Sequence, residues 1–417
     1  MSEAQVPVPA SDQKGTILLL NATAHLGTGE VIDQSAIAFK DGKLIMVANA
    51  KVIKLDKSAF DTIIDISGKH VYPGFIAPNS TLGLIEIGAV RATRDMVEVG
   101  SLNPNARSII AYSTDSKITP TARSNGVLMA QITPRGSIIS GSSSVVELEG
   151  WNWEDAVYKM DDAVHLYWPR SYRSSGWSGA KKKDANQREN ENIDRLKMLF
   201  KEALAYSLTK KPVEMNLKLE AMKGLFDGAK GLFIHVNHVK GIMQSIDFSK
   251  EYSVVRMVIV GGADSWMITD KLKEENIPVM VRRIHSKPRR QDADVDLPYR
   301  LPKLLSDAGI LFCLENSGDM AAAGTRNLPF YAGTAAAYGL SKEEALMAIT
   351  SNTAKILGID KTVGSLVVGL DATLIVSSGD ALDMRTNDIQ LAFVRGKSID
   401  LDNHQKGLYR KFKKKYE

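Results

Sequence analysis

Two groups of ionisable side chains follow apolar runs in the second half of the chain. His235 and His238 come after the run 232–234, and Glu315 and Asp319 come after the run 310–314. Imidazole titrates near neutral pH, and a carboxyl group in apolar surroundings has a raised pKa, so both groups suit general acid–base catalysis. The histidines are also explained as one packed ring and one exposed ring, and the carboxylates by turn or capping duties.

Charged residues are dense between positions 84 and 95, where Glu86, Arg91 and Arg94 stand. Two arginines can hold a carboxylate or a phosphate through paired N–H groups. A structural network of ion pairs explains this segment equally well. Further along the chain, Arg326 is placed either to bind a ligand or to cap the next helix.

The elements that would position these residues differ between the middle and the two ends of the chain. Runs 16–20, 35–39 and 44–47 near the start, and 364–369, 372–376 and 391–394 near the end, are short, apolar and bounded by turns. They predict one small β-sandwich assembled from both ends.

The middle alternates strand-like and helical segments, as expected of βα units around a parallel sheet. Strands are predicted at 127–132, 232–234, 257–260, 279–281 and 310–314. Ser341 and Glu344 form a capping box, which begins a helix whose apolar spacing continues to Leu357. The Gly- and Ser-rich run 134–144 indicates a flexible loop, with anion binding by its backbone as the alternative. Residues 169–192 are predicted to form a long surface loop.

Composition narrows the classes of partner. Lys and Arg number 53 against 48 Asp and Glu, but no aromatic residues interleave a broad basic stripe, so no nucleic acid is expected. No apolar stretch is long enough for a membrane helix. The single cysteine, Cys313, lies in an apolar run and is expected to be a small buried hydrophobe.

Three segments resemble the amidohydrolase superfamily, in particular its imidazolonepropionase-like members. They are Gly68 to Phe75, Leu340 to Gly358, and Gly364-Ser365-Leu366 with Gly369 and Asp371-Ala372. The resemblance implies an α/β fold: a distorted TIM (β/α)8 barrel over 73–363, beside a small composite β-sandwich of 15–72 and 364–417. In such barrels the site lies at the C-terminal ends of the strands.

The resemblance also implies where a metal would bind, and there this chain departs from the family. The first barrel strand of the family ends in a His-x-His pair, for which this chain has Asn79 and Thr81. His235 matches the histidine of the fifth strand, Gly261 stands where the sixth supplies another, and Glu315 or Asn316 falls where the eighth supplies an aspartate. Amide and hydroxyl groups are poor substitutes for imidazole, so no metal and no other cofactor is expected. Zinc is expected only if this ligand assignment is wrong.

The sequence therefore predicts a hydrolase of a carbon–nitrogen bond, other than a peptide bond, in a small amide. The predicted catalytic residues are His235, Glu315 and Asp319. Substrate contacts are expected from Asn79, Thr81, Glu86, Arg91, Arg94, His238 and Arg326. The alternative is a pseudoenzyme, a ligand-binding or regulatory protein that keeps the barrel without turnover.

Partners and compartment are less constrained. The expected partner is a small molecule, and assembly into a homo-oligomer stays open because barrels of this family commonly assemble. Residues 1–10 show no signal peptide. A periplasmic or secreted location is expected if a signal was removed before them, and a cytoplasmic one otherwise.

Overall fold

A computed structural model describes residues 8–136, 138–169, 182–209, 212, 214–318 and 320–417 of the chain. The strands, in chain order, are β1 Ile17–His25, β2 Val31–Lys40, β3 Lys43–Asn49, β4 Thr62–Asp65, β5 His70–Pro73, β6 Phe75–Ser80, β7 Val127–Ile132, β8 Ile139–Glu147, β9 Val157–Tyr167, β10 Gly231–Val236, β11 Met257–Gly261, β12 Val279–Val281, β13 Phe312–Leu314, β14 Leu374–Ser377, β15 Ile389–Val394 and β16 Lys397–Ser398.

Helices fill most of the connections between the barrel strands. They are α1 Thr119–Arg123, α2 Trp153–Ala156, α3 Lys182–Ser207, α4 Leu217–Met222, α5 Gly224–Asp227, α6 Val239–Glu251, α7 Thr269–Glu274, α8 Leu297–Asp307, α9 Ala321–Gly324, α10 Leu328–Ala337, α11 Lys342–Met347, α12 Ser351–Leu357 and α13 His404–Lys413. Short 3-10 helices lie at Lys57–Ala59, Arg91–Thr93, Ser108–Ala111, Ser265–Ile268 and Thr325–Asn327. Among the described residues, no helix combines the length and the apolar character needed to cross a membrane.

One sheet is built from both ends of the chain, as the turn-bounded apolar runs predicted. Its strand order is β16-β15-β14-β5-β1-β2-β3, with β4 pairing in parallel to β1. The strand β14, from the end of the chain, pairs antiparallel with β5, from its beginning. Only Gly74 separates β5 from the first barrel strand, β6, so this sheet leads directly into the barrel.

The other sheet is the barrel, in the order β6-β7-β8-β9-β10-β11-β12-β13. Its strands run parallel, except that β8 is antiparallel to both of its neighbours. The first and last strands are bridged by the chain between α11 and α12. The Ile76 backbone N–H donates to the Ile349 carbonyl at 2.9 Å, and the Leu314 N–H donates to the Ala348 carbonyl at 3.0 Å. The distorted barrel that the resemblance implied is therefore confirmed.

Alternation along the strands separates the barrel interior from the surface under the helices. Phe233 packs in one cluster with Met129, Met280 and Cys313, whereas its neighbours on β10, Leu232 and Ile234, pack in another. Because side chains alternate across a strand, His235 shares the face of Phe233. Polar residues near the strand ends thus lie above an apolar interior layer, and Cys313 is buried as predicted.

Four predictions about elements need correction. The run 364–369 contains no strand. The predicted loop 134–144 is largely the start of β8, a fully buried strand whose Ser143 bonds to Asp162 in the barrel interior. The predicted loop 169–192 overlaps α3, which begins at Lys182, and residues 170–181 of that prediction lie outside the described residues. The capping box of Ser341 is confirmed, but its helix ends at Met347 because Ala348 and Ile349 bridge the barrel.

An ion pair joins the small sheet to the barrel. Arg395 donates to Glu147 Oε2 from Nη2 at 2.6 Å and from Nε at 3.0 Å. The Glu147 side chain is only 4% exposed, and its Oε1 has no partner among the described residues. Burial raises the pKa of Glu147 to about 7, and the attraction of Arg395 opposes that rise only in part.

We expect the substitution Glu147→Gln to flatten the pH dependence of stability. The folded pKa of Glu147 lies above its ordinary value of 4.5, so its contribution to stability is present below pH 4.5 and is lost as the pH rises through about 7. Between pH 5 and pH 8, the free energy of unfolding of the wild type should fall by about 2–3 kcal/mol for this reason, and that of the variant should not. Urea unfolding at pH 5 and pH 8 measures the difference, with the exposed Asp12→Asn as control. If the free energy of unfolding changed equally between pH 5 and pH 8 in the wild type and in Glu147→Gln, this assignment would be contradicted.

Candidate active site

The barrel strands end at a cavity of about 1150 Å³. Seven predicted residues line it: Asn79, Thr81, Glu86, Arg94, His235, His238 and Glu315. Arg91 and Arg326 are exposed side chains that are not among its described walls. Asp319 lies outside the described residues. A single cavity of this size at the strand ends is where a barrel protein binds a small ligand.

Asn79 is a buried residue held by its neighbours on three sides. Its backbone has a φ of 51°, a left-handed conformation that asparagine tolerates better than most residues. Its N–H donates to Gln131 Oε1 at 3.1 Å, and its side-chain amide donates to Glu315 Oε2 at 3.3 Å. Asn79 therefore joins the end of β6 to β7 and to the residue that follows β13.

Arg135 supplies a fixed positive charge beside Asn79. Its Nη1 donates to Asn79 Oδ1 and its Nη2 to the Asn79 carbonyl, both at 2.7 Å, and it also bonds the Tyr167 hydroxyl. Two parallel bonds from one guanidinium fix both its position and its plane. The charge of Arg135 reaches Glu315, His165 and His235.

Glu315 is a buried carboxyl group with several donors. Ser317 donates to it from its backbone N–H and from its hydroxyl, the latter at 2.6 Å. Burial raises the pKa of Glu315, although the bonds from Ser317 and the charges of Arg135 and Arg282 work in the opposite direction. The net result favours the protonated form more than in water, which suits a general acid.

His235 faces a second histidine that the sequence analysis did not single out. His235 Nε2 lies 2.9 Å from His165 Nδ1, and the Tyr167 ring stacks on His235 with centroids 4.1 Å apart. Burial lowers the pKa of His235 well below its usual range, and the neighbouring His165 and Arg135 lower it further. The pKa of His165 is lowered by the same burial and by Arg135. Both rings are therefore neutral at neutral pH.

Beneath the two histidines, the hydrogen bonds continue to a buried aspartate. His165 Nε2 lies 2.9 Å from Ser143 Oγ, and the Ser143 hydroxyl donates to Asp162 Oδ1 at 2.7 Å. Gln131 Nε2 donates to Asp162 Oδ2 at 2.7 Å and to Ser143 at 3.2 Å. Because Gln131 also holds the backbone of Asn79, one polar network connects the barrel interior with the cavity.

The other predicted residues have more peripheral surroundings. Glu86 accepts from the Ser116 hydroxyl at 2.6 Å and from the Lys117 N–H at 2.8 Å, so it orders the segment before α1. Thr81 is buried, and its carbonyl accepts from the Leu84 N–H. His238 is 55% exposed and lies 3.4 Å from Asp264 Oδ2.

The described residues do not fit a resident metal ion. His235 Nε2 and both oxygens of Glu315 are engaged by protein donors or acceptors, and Arg135 places a cation next to them. Gly261 has a φ of 101°, and a Cβ there would lie 2.7 Å from Asn237 Oδ1, so a histidine cannot simply be placed at that position. No group of three or more His, Cys, Asp or Glu side chains able to hold a metal exists in the described part of the chain.

Arg135, Ser143, Asp162 and His165 were missed as site residues. Arg135 and Ser143 stand in the run interpreted as a loop, and Asp162 and His165 lie on β9, which was not predicted as a strand. The available signal was the sequence Ala163-Val164-His165-Leu166, in which a histidine interrupts an apolar run. Pairing His165 with His235 required the strand order β8-β9-β10.

Comparisons with known proteins agree in sequence and in fold. Residues 224–399 match the sequence profile of the amidohydrolase family. A crystal structure of an amidohydrolase from Thermotoga maritima MSB8 superposes with a TM-score of 0.78 at 24% identity, covering 92% of this chain and 99% of that chain. No curated protein matches the chain.

Two further solved structures share the fold at lower similarity. Molinate hydrolase has a TM-score of 0.57 at 15% identity, covering 94% of this chain and 96% of its own. Phenylurea hydrolase B has a TM-score of 0.54 at 14% identity, covering 93% of this chain and 97% of its own. These likenesses extend the shared architecture over nearly the whole chain.

The geometry predicts that the purified protein holds far less than one equivalent of zinc, manganese, iron, cobalt or nickel. Elemental analysis by mass spectrometry after dialysis measures the content, and a thermal scan with added zinc measures binding. We expect no rise in Tm with zinc and no fall with a chelator. One stoichiometric transition metal, lost together with stability on chelation, would overturn the assignment of Arg135 as the cation of the site.

Proposed function

We propose that this chain, which has the amidohydrolase sequence pattern over residues 224–399 and the amidohydrolase fold, hydrolyses a carbon–nitrogen bond of a small amide without a metal ion. The bond is of the non-peptide kind. One observation carries the proposal: a neutral imidazole, a buried carboxyl group and a fixed guanidinium line a single cavity. These are the base, the acid and the electrophile that amide hydrolysis needs.

Arg135 and Asn79 stabilise the charge that develops on the substrate carbonyl. A guanidinium has five N–H donors, and those not used on Asn79 and Tyr167 are available to a carbonyl oxygen in the cavity. Because Arg135 is already oriented by two bonds, little reorganisation is needed when the oxyanion forms. The guanidinium takes the place that a Lewis acid holds in a metallohydrolase.

His235 and Glu315 move the protons. The neutral His235 takes a proton from the attacking water, whose oxygen bonds to the carbonyl carbon. Glu315, whose burial favours the protonated carboxyl, gives a proton to the departing nitrogen as the carbon–nitrogen bond breaks. Opposite shifts of pKa in one cavity separate the base from the acid. Asp319 stays a prediction for this chemistry.

The charge of the cavity favours a substrate with an anionic group. The cationic side chains on its wall, besides Arg135, are Arg94, Lys240, Arg282 and Arg289. Three acidic residues, Glu86, Glu189 and Glu315, also line the cavity, and Glu86 and Glu315 are engaged by donors of the protein. The Arg282 Nε is buried without a hydrogen-bond partner among the described residues. A carboxylate on the substrate would be attracted by this group of cations, and Arg282 is the one whose charge also acts on Glu315.

A second function, ligand binding without turnover, is favoured by one specific observation. Arg135 and Glu315 each make several bonds to the protein itself, so these two groups are held in place without a substrate. Such a pseudoenzyme would bind the same class of amide. Turnover measurements on the wild type separate the two functions.

We expect His235→Asn and Glu315→Gln each to lower kcat/KM by about 10²–10⁴-fold, because each removes one proton transfer. The assay is release of amine from a panel of small linear and cyclic amides and ureas. The acid limb of the pH profile should lie below pH 6.5, since the pKa of His235 is lowered. His404→Asn, an exposed histidine on α13, is the matched control. Unchanged kcat/KM in His235→Asn would remove this residue from the mechanism.

We expect Arg282→Met to raise KM about 10–100-fold for amides that carry a carboxylate, with little change for neutral amides of the same shape. Steady-state kinetics on matched pairs of substrates measure this difference. Arg290→Met, which removes an exposed arginine paired with Asp292, controls for net charge. An equal effect on charged and neutral substrates would rule out Arg282 as the anion site.

A further inference from the structure

We propose that Asp162, at the inner end of the barrel network, is the final proton acceptor of the site, reached from the cavity through His235, His165 and Ser143. This deepens the proposed hydrolysis and rests on it for its chemical purpose. The hydrogen bonds themselves are features of the protein alone.

The path is continuous. The distances are 2.9 Å from His235 Nε2 to His165 Nδ1, 2.9 Å from His165 Nε2 to Ser143 Oγ, and 2.7 Å from Ser143 Oγ to Asp162 Oδ1. All three lie within the range of well-formed hydrogen bonds. His235 lines the cavity, and because its Nε2 is used on His165, Nδ1 is the ring nitrogen left for a ligand.

The number of hydrogens fixes the direction of these bonds when Asp162 is ionised. Each carboxylate oxygen then needs a donor, and Ser143 and Gln131 supply them. Ser143 has only one hydrogen, for which Asp162 at 2.7 Å is a nearer acceptor than the Ala163 carbonyl at 3.4 Å, and with either acceptor Ser143 accepts from His165 Nε2–H. A neutral His165 then accepts at Nδ1 from His235 Nε2–H. His235 therefore presents a bare Nδ1 lone pair to the cavity, which is the form required of a base.

Protonation of Asp162 reverses every bond in the path. The carboxyl group then donates to Ser143, Ser143 donates to His165 Nε2, and His165 Nδ1–H donates to His235 Nε2. His235 is left with its hydrogen on Nδ1. The two arrangements differ by one proton, and neither contains an imidazolium ion. The protonation state of Asp162, at the inner end of the network, thus determines the tautomer of His235 at the wall of the cavity.

The reaction step balances in atoms and charge. As one O–H bond of water breaks, its proton goes to His235 Nδ1 and its electron pair forms the bond to the carbonyl carbon. The Nε2 proton of His235 passes to His165 Nδ1, the Nε2 proton of His165 passes to Ser143, and the Ser143 hydrogen passes to Asp162. One carboxylate is neutralised and one oxyanion forms beside Arg135.

The charges around the path favour storage of the proton at Asp162. Asp162 is fully buried, and burial raises its pKa, although Ser143, Gln131, Lys159 and Arg256 oppose the rise. Two lysines and one arginine face it, and their described hydrogen bonds go to backbone carbonyls and not to its carboxyl group. Lys159 donates to Leu357, Arg256 to the backbone of Asp162 itself, and Lys230 to Ala221.

At the other end of the path, the surroundings oppose an imidazolium. Arg135 from the loop after β7 faces both histidine rings, and Tyr167 stacks on His235. Glu315 lines the same cavity, but its charge is opposed by its own bonds to Ser317 and by Arg135. A positive charge on either ring would therefore be disfavoured relative to a neutral Asp162.

The test is the tautomer of His235, read from ring nitrogen shifts of protein labelled with ¹⁵N-histidine. In the wild type at pH 8 we expect hydrogen on Nε2 of both His235 and His165. In Asp162→Asn, the new amide donates to Ser143 as the protonated acid would, so both histidines should carry hydrogen on Nδ1 instead. Ser143→Ala interrupts the path, so the tautomer of His235 should be the same in this variant with and without Asp162→Asn.

Ser142→Ala is the matched control. Ser142 is a buried serine next to Ser143 on β8, but its hydroxyl donates to the Pro104 carbonyl, outside the path. This variant should keep the wild-type tautomers. The same tautomer of His235 in wild type and Asp162→Asn would overturn the proposal. If Asp162→Asn does not fold, titration of the wild type decides: a tautomer switch without an imidazolium supports the path, and direct formation of imidazolium overturns it.

Turnover is measured separately, so that the two proposals fail independently. With an active substrate, Asp162→Asn should lower kcat at least about 100-fold with KM nearly unchanged, because the base presents the wrong tautomer. Tautomer inversion without turnover on any amide would retain the path and reject the hydrolysis. Turnover without inversion would retain the hydrolysis and reject the path.

Discussion

The guanidinium of Arg135, fixed by two hydrogen bonds to Asn79, organises the mouth of this barrel. Arg135 bonds the side chain and the carbonyl of Asn79, which in turn donates to Glu315. The charge of Arg135 partly opposes the rise in the pKa of Glu315 that burial causes. Burial lowers the pKa of both nearby imidazoles, and the same positive charge adds to that effect. The proposed acid, base and electrophile thus depend on the placement of one side chain.

The barrel provides two layers of different character on one set of strands. Phe233 and Ala163 belong to the apolar interior, while His235 and His165, two positions further along β10 and β9, belong to the polar layer. The period of two residues in a strand makes this stacking automatic once the register is set. Strand β8 contributes Ser143 between them although it runs in the opposite direction. Ser143 reaches the polar layer from the middle of its strand, so the direction in which β8 runs does not matter.

Much of the fold, and less of the site, could be predicted from the sequence. Strands such as β7 and β12 follow from local apolar runs and turns, and the three motifs of the resemblance give the barrel. The hydrogen-bonded pair of His165 and His235 is a product of strand order, since 70 positions separate the rings along the chain. Arg135 was hidden for a related reason: its Gly- and Ser-rich surroundings look like a loop, yet the serines are small residues of a fully buried strand. The break between α11 and α12 likewise comes from bonds to β6 and β13, which local helix periodicity cannot reveal.

The backbone at Gly261 bears on how this barrel could change over evolutionary time. Its left-handed conformation strains any residue that has a Cβ, and a Cβ there would lie 2.7 Å from the side-chain oxygen of Asn237, so an imidazole at this position also requires that side chain to move. Laboratory evolution toward an imidazole at this position would therefore have to vary residue 261 together with Asn237.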